Sequence, residues 1–230
     1  MLNNKNHILP LHADKEQKIA LLEVGKPGET NALASQMSRY TSLVRFRLRA
    51  NQTEQENQKL RDSLAAYKRI VVAVSEQRLG AYQPFFAKFV PKSPAIYLFF
   101  TPGKMMLQIQ RAVSRASAVI LGHSHNGDVQ RQVADILYAK ATADGRLSAS
   151  IGGLFPTGAG VTITPRTPLH FIPEEHGLSS VLLKKIDAIA LDGIQQGAYP
   201  GCQIVVLRNG HIMYDKAFGT YAVSYTHLTL

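Results

Sequence analysis

Short hydrophobic runs alternate with helical patterns of apolar residues along the first 140 residues of the chain. The runs predict five strands, at Lys18–Val24, Ser42–Leu48, Arg69–Val74, Ala95–Phe100 and Ala118–Leu121. Apolar residues at helical spacing, and in one case a capping signal, predict four helices, at Thr30–Tyr40, Thr53–Tyr67, Met105–Ala116 and Val129–Ala141. We interpret this order as repeated strand–helix steps.

Three of the predicted strands are apolar almost throughout instead of alternating with polar residues. These are the runs at residues 69–74, 95–100 and 118–121. A continuous apolar run indicates burial on both faces, which is the condition of a central strand in a parallel sheet. The pattern therefore predicts an α/β fold, with a doubly wound, mostly parallel sheet of five or six strands and helices on both faces.

The pattern changes after residue 144. Residues 145–160 are rich in glycine and predict a closing strand or coil, and the prolines between residues 165 and 173 predict a linker. The first domain is therefore predicted to cover residues 1–165, with a linker over residues 166–177.

A second, smaller unit is predicted over residues 178–222. An apolar stripe predicts a helix over Leu178–Gln196. Two further runs, Cys202–Leu207 and His211–Phe218, predict an antiparallel hairpin, because Asn209-Gly210 between them suits a tight turn with positive φ. The fold prediction thus ends with a helix plus an antiparallel hairpin.

Composition narrows the class of protein. The 230 residues are 45% hydrophobic and 18% charged, which is typical of a globular chain and excludes a mainly disordered or collagen-like one. The one cysteine, Cys202, excludes an internal disulfide and a thiolate metal site. No apolar run approaches the length of roughly 20 residues that a membrane span needs, so no span is predicted, and the residues after Met1 show no apolar signal-peptide core.

Positive charge is concentrated in the first domain. Residues 1–171 carry 22 Lys and Arg against 11 Asp and Glu, whereas residues 172–230 carry 4 against 5. The densest cluster, at residues 45–49, alternates arginine with apolar residues, which is typical of an edge or surface strand with one solvated basic face. No aromatic RNA-binding signature or basic helical stripe accompanies it, so no nucleic-acid partner is predicted.

Two segments of the first domain carry a resemblance to glycoside hydrolase family 3. Residues 2–11 (LNNKNHILPL) resemble the segment through which these chains enter their α/β sandwich domain. Residues 144–151 (DGRLSASI), followed by Gly158-Ala159-Gly160, resemble the closing segment of that domain, with Ser148 in place of the usual proline. Residues 119–136 are similar to the strand, loop and helix of the β-N-acetylglucosaminidase branch.

The second unit resembles the opening of serine β-lactamase-like hydrolases. The resemblance covers about residues 178–221 and rests on Gly197 to Val206 and on the spacing of Gly210 and Gly219. Fusions of a family 3 hexosaminidase to such a domain occur in bacteria, so the two resemblances support one another. Residues 223–230 resemble a translated sequencing-adapter scar, which leads us to expect a fragment that ends inside its second domain and also lacks what precedes Met1.

The resemblance implies a parent enzyme that removes terminal β-linked N-acetylhexosamine from peptidoglycan or chitin-type oligosaccharides by a retaining mechanism. Such a mechanism needs a carboxylate nucleophile and a general acid/base. The resemblance implies that both, an aspartate nucleophile and a His–Asp acid/base pair, lie on a barrel domain. No catalytic residue is therefore assigned in this chain, no metal or organic cofactor is implied, and the parent is expected to be exported or periplasmic. The β-lactamase-like unit contains no Ser-x-x-Lys, since Ser180 and Lys184 are one residue too far apart. The fragment itself is therefore expected to be structural and inactive, and its oligomeric state stays open.

One loop of the first domain holds the candidate site. It follows the strand at residues 118–121, at the end where α/β sheets place their ligands. His123, His125, Asn126 and Asp128 are candidate substrate-binding residues there. The carboxylates of Asp128 and Glu76 are the nearest to predicted strand ends, and each is interpreted as a helix-start or loop residue.

Alternative functions stay open at this point. Gly122-His123-Ser124-His125-Asn126 resembles the Gly-x-Ser-x-Gly elbow of α/β-hydrolases, which would make Ser124 the nucleophile of an esterase, although Asn126 replaces the second glycine. His123 and His125 could form a metal pair, but no further ligands complete it. The third alternative is a non-catalytic glycan-binding module driven by the basic first domain.

Overall fold

The computed structural model describes residues 1–165, 173–208 and 211–219. The chain divides into two compact units, residues 1–165 and residues 166–230. Most of the predicted linker, the Asn209-Gly210 turn and the predicted scar at residues 223–230 lie outside the described residues. In the part of the chain that is described, no helix has the length and apolar character needed to cross a bilayer.

The first unit alternates strands and helices along its length. Its strands are β1 (Asn3–Asn4), β2 (Lys18–Val24), β3 (Ser42–Leu48), β4 (Ile70–Val74), β5 (Ala95–Phe99) and β6 (Ala118–Leu121). Its α-helices are α1 (Asn31–Met37), α2 (Glu54–Ala65), α3 (Gln83–Lys88), α4 (Gln110–Arg115) and α5 (Gly127–Leu137). Turns of 3₁₀-helix occupy Lys5–His7, Gly80–Tyr82 and Gly103–Ile109.

The six strands form one sheet in the order β1-β6-β5-β4-β2-β3. The pairings from β6 through β3 are all parallel, and the two-residue β1 is antiparallel to β6. The predicted α/β fold with a mostly parallel sheet is therefore confirmed. The chain reverses its direction of winding between β2 and β4, so this pair marks the topological switch point of the sheet.

Apolar clusters cover both faces of this sheet. In β4, Ile70, Val72 and Val74 belong to one cluster, while Val71 and Ala73 belong to the other. All five side chains have no solvent exposure. The alternation follows from the two-residue period of a strand, and it explains why the sequence of this strand is apolar throughout.

Several boundaries differ from the predicted ones. The helix expected over Met105–Ala116 is a 3₁₀ segment followed by the short α4, and the helix expected over Val129–Ala141 begins at Gly127 and ends at Leu137. The sequence patterns did not identify β1 or α3. Of the two predicted possibilities for residues 145–160, strand or coil, the structure has coil, with isolated bridges between Ile151 and Phe155 and between Ala143 and Ile163. These features depend on contacts with distant parts of the chain, which local periodicity does not encode.

The predicted edge position of the basic strand is confirmed, because β3 is the outermost strand of the sheet. Two arginines of the basic cluster form ion pairs: Arg45 of β3 contacts Glu23 at 2.7 Å, and Arg49, directly after the strand, contacts Glu56 at 3.0 Å. Part of the basic face is thus neutralised within the fold instead of standing free in solvent.

The second unit contains helices and one hairpin. Its described elements are a 3₁₀ turn (Pro173–His176), α6 (Ser180–Leu183), α7 (Lys185–Gln195), β7 (Gly201–Arg208) and β8 (His211–Gly219). The predicted antiparallel hairpin is confirmed, whereas the predicted helix over Leu178–Gln196 is split between α6 and α7.

Asp187 joins α7 to β8. Its carboxylate accepts hydrogen bonds from Lys216 Nζ and from the Tyr214 hydroxyl. The ammonium of Lys216 and the Tyr214 hydroxyl hold the pKa of Asp187 below its usual value, and burial together with the bond to Asp187 raises the pKa of Tyr214 to about 12. This contact fixes the helix against the hairpin.

A capping box begins α2, and we expect it to contribute measurably to stability. Glu56 N donates to Thr53 Oγ1 at 3.3 Å, and Thr53 N donates to the Glu56 carboxylate at 2.9 Å. Thr53→Ala removes the first bond and is expected to lower the free energy of unfolding by about 1 kcal/mol in urea titrations. Ser63→Ala on the same helix is the control, because within the described part of the chain the Ser63 hydroxyl bonds only to the Lys59 carbonyl. An equal loss in both variants would contradict the role of the cap.

Candidate functional site

The candidate loop joins β6 to α5 at the carboxyl edge of the sheet. Gly122 N donates to the Phe99 carbonyl at 2.8 Å, which extends the β5–β6 pairing by one residue. His123 then adopts a left-handed conformation with φ of 63°, and Ser124 N donates back to the Gly122 carbonyl at 2.7 Å. This tight turn places His123, Ser124 and His125 on the surface.

Asn126 and Asp128 form the start of α5. Asn126 Oδ1 accepts a hydrogen bond from Asp128 N at 2.8 Å and so caps the helix. The Asp128 carboxylate pairs with Arg131 at 2.5 Å and lies in the first turn, where the helix dipole favours negative charge. The interpretation of Asp128 as a helix-start residue is confirmed. The other carboxylate, Glu76, accepts from Gln77 N and Arg78 N, which confirms that it is a loop residue.

The Gln130 side chain ties the candidate loop to the loop that follows β2. Its Nε2 donates to the His125 carbonyl at 2.7 Å and to the Glu29 carbonyl at 2.6 Å. Its Oε1 accepts from Leu33 N at 3.1 Å. The side chain is only 2% exposed, the bond to Leu33 N is buried, and the two bonds to carbonyls are partly buried. Gln130 thereby fixes the relative position of two carboxyl-edge loops.

The bond to Leu33 also completes a helix end. The first backbone N–H groups of a helix have no partner within the helix, and Leu33 N is one of them in α1. The residue before α1, Thr30, makes no capping bond, because its hydroxyl donates to the buried Glu23 carboxylate. An amide from a different helix thus supplies the missing acceptor.

A second polar cluster lies at the switch point between β2 and β4. Glu29 Oε2 accepts from Ser75 Oγ at 2.8 Å and from Lys26 N at 3.1 Å. Gly25, with φ of 152°, lies against this pair, and a Cβ there would clash with Ser75 Oγ and stand 2.8 Å from Glu29 Oε2. The close approach requires glycine at this position.

The strand ends therefore carry polar groups that are already paired. Glu23, 8% exposed, receives hydrogen bonds from Thr30 and from Arg45, which also donates to Asn31 at 2.6 Å. Together with Glu29 and Ser75 these groups form an internal network along the edge. This network stabilises the edge of the sheet, because each carboxylate already accepts a hydrogen bond from a donor within the domain.

The two imidazoles of the candidate loop stand apart from this network. Both His123 and His125 are exposed, and among the described residues neither side chain has a hydrogen-bond partner. No group of three or more His, Cys, Asp or Glu side chains arranged to hold a metal ion occurs in the described ranges. The imidazoles are therefore free to contact a ligand.

The Ser124 environment differs from the one that a nucleophile elbow requires. In an elbow the serine itself occupies the strained turn. Here the left-handed residue is His123, and Ser124 Oγ accepts a hydrogen bond from Asn126 N at 3.2 Å. Within the described residues no histidine bonds to Ser124, so the geometry favours a structural turn over an elbow.

Sequence reasoning singled out the loop but not the residues that hold it. Gln130 occupies a position of the apolar stripe formed by Val133, Ala134 and Leu137, at spacings of three, four and seven residues. A polar residue in an apolar stripe is a usable signal for a buried hydrogen-bonding role. Glu29 and Ser75 gave no such signal, because 46 residues separate them.

Replacement of Gln130 by methionine tests the role of this amide. Gln130→Met keeps the shape but leaves Leu33 N and two carbonyls without their partner, and each orphaned group costs about 1–3 kcal/mol. We expect the free energy of unfolding to fall by at least about 3 kcal/mol in urea titrations, the sum of the lowest costs of the three groups. Gln132→Met is the matched control, since Gln132 is exposed on the same helix. Equal stability of the two variants would contradict the conclusion that the Gln130 amide stabilises the two loops and the start of α1.

A scan against protein-family models found no match to this chain, and a search of curated proteins found none either. The basis for a functional assignment is therefore the described geometry together with the motifs at both ends of the first unit.

Proposed function

We propose that residues 1–165 form the α/β sandwich domain of a β-N-acetylglucosaminidase. The parent enzyme hydrolyses terminal β-linked N-acetylhexosamine from peptidoglycan or chitin-type oligosaccharides, and residues 178–222 belong to a β-lactamase-like domain fused to it. Under this proposal the catalytic groups lie on a barrel domain. The sandwich domain contributes a rigid carboxyl edge and the loop at residues 122–126.

The observation that carries the proposal is the meeting of the two motif segments at one edge of the sheet. Val161 N, just beyond the closing segment, donates to the Met1 carbonyl at 2.8 Å. Leu2 N in the opening segment donates to the Val119 carbonyl of β6 at 2.8 Å. Segments about 150 residues apart thus close the fold together, as paired opening and closing segments of one domain should.

Buried side chains anchor the opening segment. Leu2 packs in one apolar cluster of the sheet, while Leu9 and Leu11 pack in the other. Leu11 N also donates to the Leu137 carbonyl at the end of α5, at 2.7 Å. The opening segment is therefore an integral part of the domain core, which supports its use as a motif of the domain.

The carboxylates of the edge support a scaffolding role. A retaining glycosidase needs one carboxylate free to attack and an acid/base group free to exchange a proton. Glu23, Glu29 and Asp128 are each bound to a donor within the domain. His123 and His125 are the groups of the loop that remain open to a sugar hydroxyl, so they are the proposed contacts to substrate.

Activity assays test the proposal directly. The 230-residue chain is expected to leave both 4-nitrophenyl N-acetyl-β-D-glucosaminide and 4-nitrophenyl acetate uncleaved. The gene product that includes the coding sequence upstream of Met1 is expected to contain a barrel and to hydrolyse the glucosaminide. Turnover of the sugar by the 230-residue chain, ester hydrolysis abolished by Ser124→Ala, or a stop codon directly upstream would each overturn the proposal.

Kinetics of the barrel-containing protein test the loop. His123→Ala or His125→Ala is expected to raise KM for the glucosaminide by about threefold to tenfold, because one hydrogen bond to bound sugar is lost. His12→Ala is the matched control, since His12 is exposed in the segment before β2. An unchanged KM in both loop variants would show that the loop does not contact the substrate and that the domain serves only as a scaffold.

A further inference from the structure

A pocket of about 180 Å³ opens at the amino edge of the sheet, where β5 and β6 begin. One wall is the loop from Phe89 to Pro94 between α3 and β5, and the other is the end of α4 together with Ala116 and Ser117. The strands run from this edge toward the candidate loop, so the pocket is separate from the proposed substrate site.

Tyr97 lines this pocket from within β5. Its side chain is 1% exposed and packs against the rings of Phe86 and Phe99. Within the described residues no group forms a hydrogen bond with its hydroxyl. Burial raises the pKa of Tyr97 well above its usual value, so the hydroxyl keeps its proton and remains a donor. The fully buried side-chain atoms without a partner among the described residues are Asn57 Oδ1, Arg61 Nη1, Thr101 Oγ1 and Tyr138 Oη. The Tyr97 hydroxyl is not one of them, so it keeps a small contact with solvent and is open to an acceptor that enters the pocket.

The walls of the pocket combine apolar surface with positive charge. Phe89, Val90, Pro91, Pro94, Ala112 and Ala116 supply the apolar part. Lys92 and Arg115 supply the charge, and both are exposed. No carboxylate contributes to the lining, and among the described ranges neither cation takes part in an ion pair.

A third cation lies close to the same edge. Lys5 Nζ donates to the Ser114 carbonyl of α4 at 2.7 Å, and Lys5 N donates to the Ser117 carbonyl at 2.8 Å. Ser117 belongs to the pocket wall. The local potential is therefore positive on both sides of the opening, which favours an anionic ligand.

We propose that this pocket binds a small organic acid, in which a carboxylate is carried on an apolar body about the size of a benzene ring. The apolar walls hold the body, the Tyr97 hydroxyl donates to a carboxylate oxygen, and Lys92 and Arg115 balance the negative charge. The inference does not depend on the proposed glycosidase function, since it concerns the opposite edge of the sheet.

Calorimetric titration with benzoate tests the proposal on the 230-residue chain. We expect saturable binding at millimolar concentrations, weakened at high salt because the charges are exposed. Tyr97→Phe is expected to weaken binding by about tenfold, since it removes one charge-assisted donor. The same variant should unfold at the same or a higher urea concentration than the wild type, because the lost hydroxyl had no partner in the fold.

Matched probes and variants separate the parts of the site. Arg115→Gln should weaken benzoate binding, whereas Arg111→Gln, one turn earlier on α4 and outside the pocket wall, should not. Benzyl alcohol tests the apolar body alone, and inorganic phosphate tests the charge alone; both should bind more weakly than benzoate. Absence of heat with benzoate at about 20 mM, equal affinity of Tyr97→Phe and wild type, or phosphate binding as tight as benzoate would each overturn the proposal.

Discussion

The buried amide of Gln130 is the interaction on which the carboxyl edge depends. It reaches from α5 to the backbone of two loops and completes the first turn of α1 in place of a local cap. A glutamine amide can donate and accept hydrogen bonds together, so one side chain binds three backbone groups, of which Leu33 N is fully buried. Gln130 also fixes the positions of His123 and His125, because its amide donates a hydrogen bond to the His125 carbonyl in the loop that carries both histidines.

Paired polar groups also extend along the carboxyl edge to the switch point between β2 and β4. The Glu29 carboxylate accepts hydrogen bonds from Ser75 and from Lys26 N. The Glu23 carboxylate accepts hydrogen bonds from Thr30 and Arg45, so both carboxylates connect strand ends to neighbouring segments. Networks of satisfied polar groups in partly buried places rigidify a structure. An edge of this kind is suited to present a loop in a fixed position to a neighbouring domain, which is the role that we propose for residues 1–165. The open imidazoles and the unpartnered Tyr97 hydroxyl lie at opposite edges of the sheet, so the two proposals involve separate surfaces.

The sequence predicted the sheet better than it predicted the site. The predicted strands at residues 18–24 and 42–48 match β2 and β3, because the buried β2 is a nearly continuous apolar run and the edge strand β3 alternates apolar with basic residues. The capping box of Thr53 and Glu56 is a local signal that spans four residues. No local sequence pattern predicts the two-residue β1, since its partner strand β6 lies more than 110 positions away along the chain. The sequence predicts that the candidate loop follows a strand, as it does after β6, but it does not predict which side chains bind the loop in place. Ser75, Glu29 and Gln130 meet only when the sheet has assembled, and a single sequence does not encode such distances.

The arrangement of the sheet's two borders has a consequence for the behaviour of the chain in concentrated solution. Exposed strand borders invite other molecules to add strands, which is a common start of aggregation. On one side the border is β3, which carries Arg45 and Arg47 and is followed by Arg49, so like charges stand where an incoming copy would have to align its own. On the other it is β1, which is two residues long and offers little backbone to pair with. Both borders thereby limit the addition of further strands without closing the sheet into a barrel.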